Sequence, residues 1–253
     1  MFSFQDKMKR AIILDMDGVV ADTKSAYHGA FNTLVQPFGV YVKKEEWFQR
    51  FPGTGPHHIL STLFREYGII ENRGNGAAEK DLPKKTEASE EIDSWIERWK
   101  KLYQEKVYGG EIQPIPGFLE FNQYLRENDI ARIIATGSHE ENARMVLRSF
   151  GIENQTEIVS NEQVHQRKPN PALFLAAAQR LRVEPEYCTV FEDAVVGVQA
   201  AKRAKMMCVA LTTTAPREVL EKESPDLIIK DYEQAPLEQL LRSLPTRSNL
   251  VFQ

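Results

Sequence analysis

Apolar residues along this chain follow two rhythms. In the first they form short, nearly unbroken runs rich in β-branched side chains, at Ala11–Leu14, 130–135, Glu157–Ser160, 188–191, 207–210 and Leu227–Ile229. In the second they recur every three or four residues, over Phe118–Glu127, 140–150, 171–181 and 195–204. Short unbroken runs suit strands buried on both faces, as in a parallel sheet, and the periodic stretches suit amphipathic helices. Their alternation predicts an α/β fold, a doubly wound parallel-sheet core of Rossmann-like type with helices on both faces. One region departs from it. Residues 23–113 carry no convincing strand, only helical periodicity over 27–36, 57–67 and 89–108. They are expected to fold as an inserted α-helical domain, leaving 2–22 and 114–253 as the core. Within the insertion, 71–87 is rich in Gly, Asn, Lys and Glu and poor in apolar residues, which predicts a loop without regular structure.

Composition narrows the function classes. The 253 residues are 42% hydrophobic and 27% charged, ordinary values for a water-soluble domain, with a formal net charge of −4. No basic field exists to hold a nucleic-acid backbone, so no nucleic-acid partner is expected. Every apolar run is far shorter than the ~20 residues of a spanning helix, so no membrane partner is expected either. Cys188 and Cys208 sit in apolar stretches and read as buried hydrophobes of a reducing, cytoplasmic protein. No CxxC or Cys/His cluster suggests zinc. Oligomeric state has no signal in the sequence.

The chemistry gathers at strand ends. Asp15-Met16-Asp17-Gly18 follows the first strand directly. Ligands of open α/β sheets bind beyond the carboxyl ends of the strands, so both carboxylates are expected to face that crevice. Two crowded carboxylates repel unless a proton or a hard divalent cation such as Mg²⁺ intervenes. A pair of turn-forming Asp residues is the plainer alternative for this motif alone. Thr136-Gly137-Ser138 follows the second strand, and Ser138 with Glu141 has capping-box spacing, so a helix start with free N–H groups offers a phosphate seat. Arg167-Lys168-Pro169-Asn170-Pro171 precedes another helix, with Asn170 at the N-cap and Pro171 at the first helical position; Lys168 stands just outside as a point charge. Glu192-Asp193 closes the fourth strand, where buried acids are costly without a counter-charge.

Taken together and in this order, Asp15-Met16-Asp17-Gly18-Val19-Val20-Ala21-Asp22-Thr23, Thr136, Lys168-Pro169 and Glu192-Asp193 with Gly197 beyond resemble the four motifs of the haloacid dehalogenase-like superfamily, in its phosphatase branch. The insertion after the first motif resembles the helical cap of the subgroup that includes β-phosphoglucomutase and many small phosphatases. The resemblance implies an Mg²⁺-dependent phosphoric monoester hydrolase acting on a small phosphorylated metabolite, such as a sugar phosphate. It makes Asp15 the nucleophile, forming an aspartyl-phosphate, and Asp17 the acid and base. It gives Mg²⁺ to Asp15, the backbone carbonyl of Asp17, and Asp193, with Glu192 nearby or bonded through water. Thr136, the Gly137 N–H and Lys168 bind the phosphoryl oxygens. An Asp at position 17 favours ester hydrolysis, because the dehalogenases and phosphonoacetaldehyde hydrolases lack it and an ester leaving group needs a proton. Cap opening and closing would admit substrate and exclude bulk water.

Two alternatives stay open. A mutase of the β-phosphoglucomutase type shares the same core, but Tyr27 aligns where that enzyme has a His, with His28 one residue later, and Pro56 where it has an Arg. A non-catalytic binding protein that kept the fold is the alternative of another class. In the insertion, Gly53 and Thr54 are expected to shape a substrate-selecting loop, and Lys100 (with Lys101 beside it) is a candidate substrate contact. Gly53-Thr54-Gly55 lacks the third glycine and the strand of a dinucleotide loop. His57 and His58 are read as surface or interface residues. Trp95 and Trp99, four apart on a helix, are expected to pack inside the helical domain.

Overall fold

A computed structural model of the chain describes residues 10–51, 54–69 and 85–234. The contacts divide into two compact units, one holding the chain up to Thr23 and from Ile112 onward, the other holding Lys24–Glu111.

The first unit is built on six parallel strands, β1 (Ala11–Leu14), β2 (Ala131–Thr136), β3 (Glu157–Ser160), β4 (Cys188–Glu192), β5 (Met207–Leu211) and β6 (Leu227–Ile229). Their order across the sheet is β3-β2-β1-β4-β5-β6. The connections therefore run one way from β1 to β3 and the other way from β4 to β6, and the reversal falls between β1 and β4. Leu14 pairs with Phe191 there, so the residues that follow them, Asp15 and Glu192, leave the sheet side by side. The unbroken apolar runs have their expected cause: β1 is buried at every position, and both of its faces are covered. On one face Ala11 and Ile13 join Leu173, Phe174, Ala177, Val198 and Ala201 of two helices introduced below. On the other, Phe121, Phe191 and Tyr232 stack, with ring centroids 4.8–5.8 Å apart.

The strands alternate with helices as the sequence predicts, with shifts of a residue or so at the ends. In the insertion and before β2 the helices are α1 (Thr23–Val35), α2 (Lys44–Arg50), α3 (Pro56–Glu66), α4 (Lys85–Tyr108) and α5 (Phe118–Glu127). After β2 come α6 (Glu140–Ser149), α7 (Ala172–Leu181), α8 (Val195–Arg203) and the short α9 (Arg217–Leu220). Two expected caps are corrected. His139, not Ser138, holds the N-cap position of α6 and makes no side-chain cap; the Ser138 hydroxyl is drawn away to a carboxylate described below. In α7 Pro171 is the N-cap, while Asn170 still caps the helix, its Oδ1 accepting from Ala172 N–H at 2.9 Å.

The second unit is helical. Helix α4 begins at Lys85, so 85–87 are helical rather than loop; the rest of the predicted loop, 71–84, lies outside the described residues. Helix α2 had no clear signal because it spans barely two turns between β-rich and Gly-rich flanks. The core of this unit is aromatic. Trp99 is fully buried, stacks on Tyr27 at 4.2 Å, meets Phe31 and Trp47 edge-on, and donates its indole N–H to Tyr27 O at 3.0 Å. Trp95 is half-buried between Phe38 and Phe64. His28 is buried, within 2.7 Å of Val42 O through Nε2, beside Asn32, which clasps Val42 from both sides. Among the described residues no helix is long and apolar enough to cross a membrane.

Since Trp99 joins three aromatic partners and its N–H is satisfied, Trp99→Ala is expected to lower stability by about 3–5 kcal/mol. Urea unfolding followed by circular dichroism measures it. A loss under about 1 kcal/mol would mean the ring is not central to this core.

Candidate active site

At the reversal between β1 and β4, the chain leaves the sheet as acid on both sides. Asp15 N–H donates to Phe191 O at 3.0 Å, which ties the first residue beyond β1 to the last turn of β4. Its carboxylate, with those of Glu192 and Asp193, forms a cluster whose ligand oxygens lie within 4.8 Å of one another, and all three residues are buried.

Lys168, delivered by the loop before α7, is the positive charge set against them. Its Nζ lies 2.5 Å from Asp15 Oδ1 and 2.5 Å from Glu192 Oε1, above the Phe174 ring; the Lys168–Pro169 bond is cis. Burial alone would push this ammonium down, but Asp15 and Glu192 together outweigh it and hold it above the ordinary lysine range. Burial pushes the Asp15 carboxyl up, Lys168 opposes this, and Asp17 and Asp193 add to the rise. Glu192 is likewise pushed up by burial, against the pull of Lys168. Three buried carboxylates meet one ammonium here, which is bonded to two of them.

Backbone and small residues hold these groups still. Glu192 Oε2 accepts the N–H groups of Asp193 and Ala194 at 2.7 and 2.8 Å, at the entry to α8. A side chain at Gly197 would run into that carboxylate, so α8 can pass so close only with glycine there. Gly18 has φ +86°, and a Cβ on it would strike Asp193 Oδ2. Asp193 also accepts from the Thr214 hydroxyl, and its carbonyl accepts from Ala215 N–H at 3.3 Å. The neighbouring Thr213 hydroxyl donates to Gly18 O at 2.5 Å.

Asp17 stands apart from this cluster. Its half-exposed carboxylate accepts from the Thr23 hydroxyl and, at 2.9 Å, from the Ser138 hydroxyl. The side chain of Asp17 is thus not among the clustered oxygens; any share it takes in holding a cation falls to its backbone carbonyl. At the end of β2, the fully buried Thr136 accepts Ser138 N–H at 3.0 Å on its hydroxyl, which keeps one proton to donate. The Gly137 carbonyl is held by Asn161 Nδ2 at 2.6 Å, from the end of β3.

The residues singled out for the core unit thus gather on one rim. Those singled out for the helical unit are described within that unit. Thr54 caps its own turn, donating to Phe51 O at 3.1 Å, and Lys100 is paired with Glu97 on an exposed face of α4. Gly53 lies outside the described residues. Asn161, Thr213 and Thr214 went unassigned from sequence, Ser138 was read only as a helix cap, and Thr23 only as the end of the first motif. Thr212-Thr213-Thr214 directly follows β5, and the rule that strand ends carry chemistry could have found it.

The donor set is all hard oxygen, without sulfur or imidazole, and burial disfavours its ionised form unless positive charge is brought to it. It fits a divalent cation of the Mg²⁺ or Ca²⁺ kind.

Known proteins share this arrangement of chain. A phosphorylated carbohydrates phosphatase of Thermotoga maritima is 32% identical over 197 residues, covering 77% of this chain and 81% of its own. The solved structure of a β-phosphoglucomutase from Clostridium difficile is 25% identical, covers 93% of this chain and 96% of its own, and superposes with a TM-score of 0.68. That of CbbY from Rhodobacter sphaeroides, in complex with phosphate, is 23% identical and superposes with a TM-score of 0.67 over 89% of this chain and 95% of its own. The family model for haloacid dehalogenase-like hydrolases matches residues 12–211, from β1 to the end of β5. The chain belongs to the haloacid dehalogenase-like hydrolase family.

Proposed function

We propose that this protein is a phosphatase of small phosphorylated metabolites, with Asp15 as its nucleophile. The observation that carries this reading is the buried Asp15 carboxylate, bonded to the Lys168 ammonium and clustered with Glu192 and Asp193 where the sheet reverses. A carboxylate there can attack phosphorus while the positive charge beside it offsets the phosphoryl oxygens. In the first step Asp15 displaces the ester oxygen, which leaves with a proton from Asp17. In the second, Asp17 takes a proton from water as that water attacks phosphorus, releasing inorganic phosphate and restoring Asp15. The Thr23 and Ser138 hydroxyls support this role by fixing the direction of the Asp17 carboxylate. Thr136, the Gly137 N–H and Lys168 bind the phosphoryl oxygens in this reading. A bound Mg²⁺, held by Asp15, Asp193 and the Asp17 carbonyl with Glu192 beside it, would supply further positive charge against the transferring group. Substrate choice is assigned to the helical insertion, since the strand ends provide only groups that hold and cleave phosphate. A phosphorylated sugar is the substrate class suggested by the name of the Thermotoga relative.

A second reading, a sugar-phosphate mutase, draws support from likeness to the Clostridium difficile protein. Against it, the His28 ring is engaged with Val42 and Asn32, and Pro56 opens α3 at the position where the resemblance to β-phosphoglucomutase leads one to expect Arg.

Asp15→Asn is expected to cut release of inorganic phosphate from an aryl phosphate with Mg²⁺ by more than about a thousandfold. Equal rates in the two proteins would reject the assignment. With a phosphorylated hexose, free phosphate should appear without an isomeric sugar phosphate, read by phosphorus NMR; the isomer without free phosphate would favour the mutase.

Acid should weaken cation binding. The folded-state pKa values of Asp15 and Glu192 are raised above their unfolded values. Their contribution to stability is therefore fully present below the ordinary carboxylate range, near 4, and is lost as pH rises through the raised values. A cation relieves that loss by competing with protons, so the Tm gained on adding Mg²⁺ to chelator-treated protein should be largest at neutral pH and shrink toward pH ~5. A gain that stays level or grows in acid would count against the cluster as the cation seat.

A further inference from the structure

Between β2 and α6 the chain passes through Gly137, Ser138 and His139, a stretch with little of its own to keep one shape. Glycine at 137 leaves the backbone there free to turn, and His139, at the N-cap of α6, makes no side-chain cap. What holds this loop comes from the neighbouring strand. Thr136 and Ser160 are register partners at the ends of β2 and β3, so the next residues, Gly137 and Asn161, emerge side by side. Asn161 Nδ2 donates to Gly137 O at 2.6 Å. A carbonyl only accepts, so the amide nitrogen must be the atom that faces it. Glu162 grips the far end of the loop: its Oε2 accepts Glu140 N–H at 2.9 Å across 22 residues, and its Oε1 lies 3.1 Å from His139 Nδ1. The turn that carries both residues is itself anchored, because the buried Ser160 hydroxyl accepts Glu162 N–H at 3.3 Å.

The Asn161 bond falls on one peptide unit. Gly137 O and Ser138 N–H belong to the same plane; Asn161 holds the oxygen, and the Thr136 hydroxyl holds the N–H at 3.0 Å. With both ends fixed that plane cannot rotate. Three groups of the reaction hang on it. The Thr136 hydroxyl spends its acceptor side there and keeps its proton, the Gly137 N–H lies in the adjoining peptide, and the Ser138 hydroxyl donates to Asp17 Oδ2 at 2.9 Å. Stability gains little from the tether. Asn161 Oδ1 is enclosed and without a hydrogen-bond partner among the described residues. An enclosed acceptor left unmet costs as much as one neutral hydrogen bond returns. The contribution of this side chain is therefore to geometry.

We propose that Asn161 is a positioning residue of the phosphate-binding loop, its amide fixing the Gly137–Ser138 peptide and, through it, the Gly137 N–H and the Ser138 hydroxyl that aims Asp17. The inference rests on the reading of Thr136, the Gly137 N–H and Lys168 as the phosphate seat. It gives the turn after β3 the task of shaping that seat. The acid cluster is held by other contacts, from β4, α8 and the loop after β5, so loosening this loop leaves cation binding intact.

Asn161→Ala removes the tether, and Asn161→Asp keeps the size while setting an acceptor against the Gly137 carbonyl. Binding of inorganic phosphate to the full chain in Mg²⁺ is measured by calorimetry for wild type, both variants and Thr136→Val, with Mg²⁺ affinity and Tm recorded for each. The expected result is phosphate binding about 10-fold weaker in both Asn161 variants, the worth of one hydrogen bond to a charged group, with Mg²⁺ affinity unchanged and Tm nearly so. If Thr136→Val loses phosphate while both Asn161 variants bind it as wild type does, the proposal falls and the phosphate seat stands. Mg²⁺ affinity falling in step with phosphate affinity, or a collapse of Tm in both variants, would show a structural role alone and overturn it. If wild type binds no phosphate, or Thr136→Val binds it as tightly, the seat fails and the proposal with it.

Discussion

A cluster of buried acids gathered round one ammonium governs this protein. Asp15, Glu192 and Asp193 converge where the sheet reverses, with Lys168 between two of them. Removing such groups from water costs several kcal/mol per ion unless partners repay it. Much of the surrounding structure reads as repayment in kind. Backbone N–H groups at the entry to α8 bind Glu192, the Thr214 hydroxyl binds Asp193, and glycines at 18 and 197 leave room for both carboxylates.

Rigidity follows from the same placement. Glu192 ends β4, and Asp15 and Asp193 sit one residue beyond strands buried along their whole length, so the backbone that carries them has little freedom. Hydroxyls then set the finer aim. Thr23 and Ser138 direct Asp17, Thr213 ties the Gly18 turn to the loop after β5, and Asn161 holds the Gly137 peptide from β3. Each is a short side chain on a strand end or helix start, with little rotamer entropy to lose. The core unit is thus specialised for holding charge in fixed geometry. The helical unit is stabilised differently, by Trp99 and its ring of aromatic neighbours, with no buried ion cluster among its described residues.

Much of this was legible in advance, and for identifiable reasons. Unbroken runs such as Ala11–Leu14 announce a buried parallel strand because both faces must be apolar, and the helices at Phe118–Glu127 and 140–150 announce themselves by their stripe. Asp15, Thr136, Lys168, Glu192 and Asp193 were visible because acids, hydroxyls and a lysine beside buried strands stand out against their surroundings. The capping box at Ser138 misled because its local bond to the helix competes with a distant one. Asp17, 121 residues away in sequence, takes the hydroxyl instead. Helix α2 was missed because so short a helix is held by packing, through Trp47, rather than by its own periodicity.

By itself, the sequence determined which residues carry charge, which segments must be buried, and hence the α/β alternation with strand-end chemistry. Those are local properties of side chains and their spacing. The tertiary structure alone decided the strand order that brings Asp15 beside Glu192, the salt bridges that divide Lys168 between them, and the separation of the Asp17 carboxylate from the clustered acids. It also decided that the Tyr232 hydroxyl lies enclosed among aromatic rings. Such pairings join residues far apart in the chain, and they depend on the order of strands across the sheet, which the pattern within any one segment does not encode.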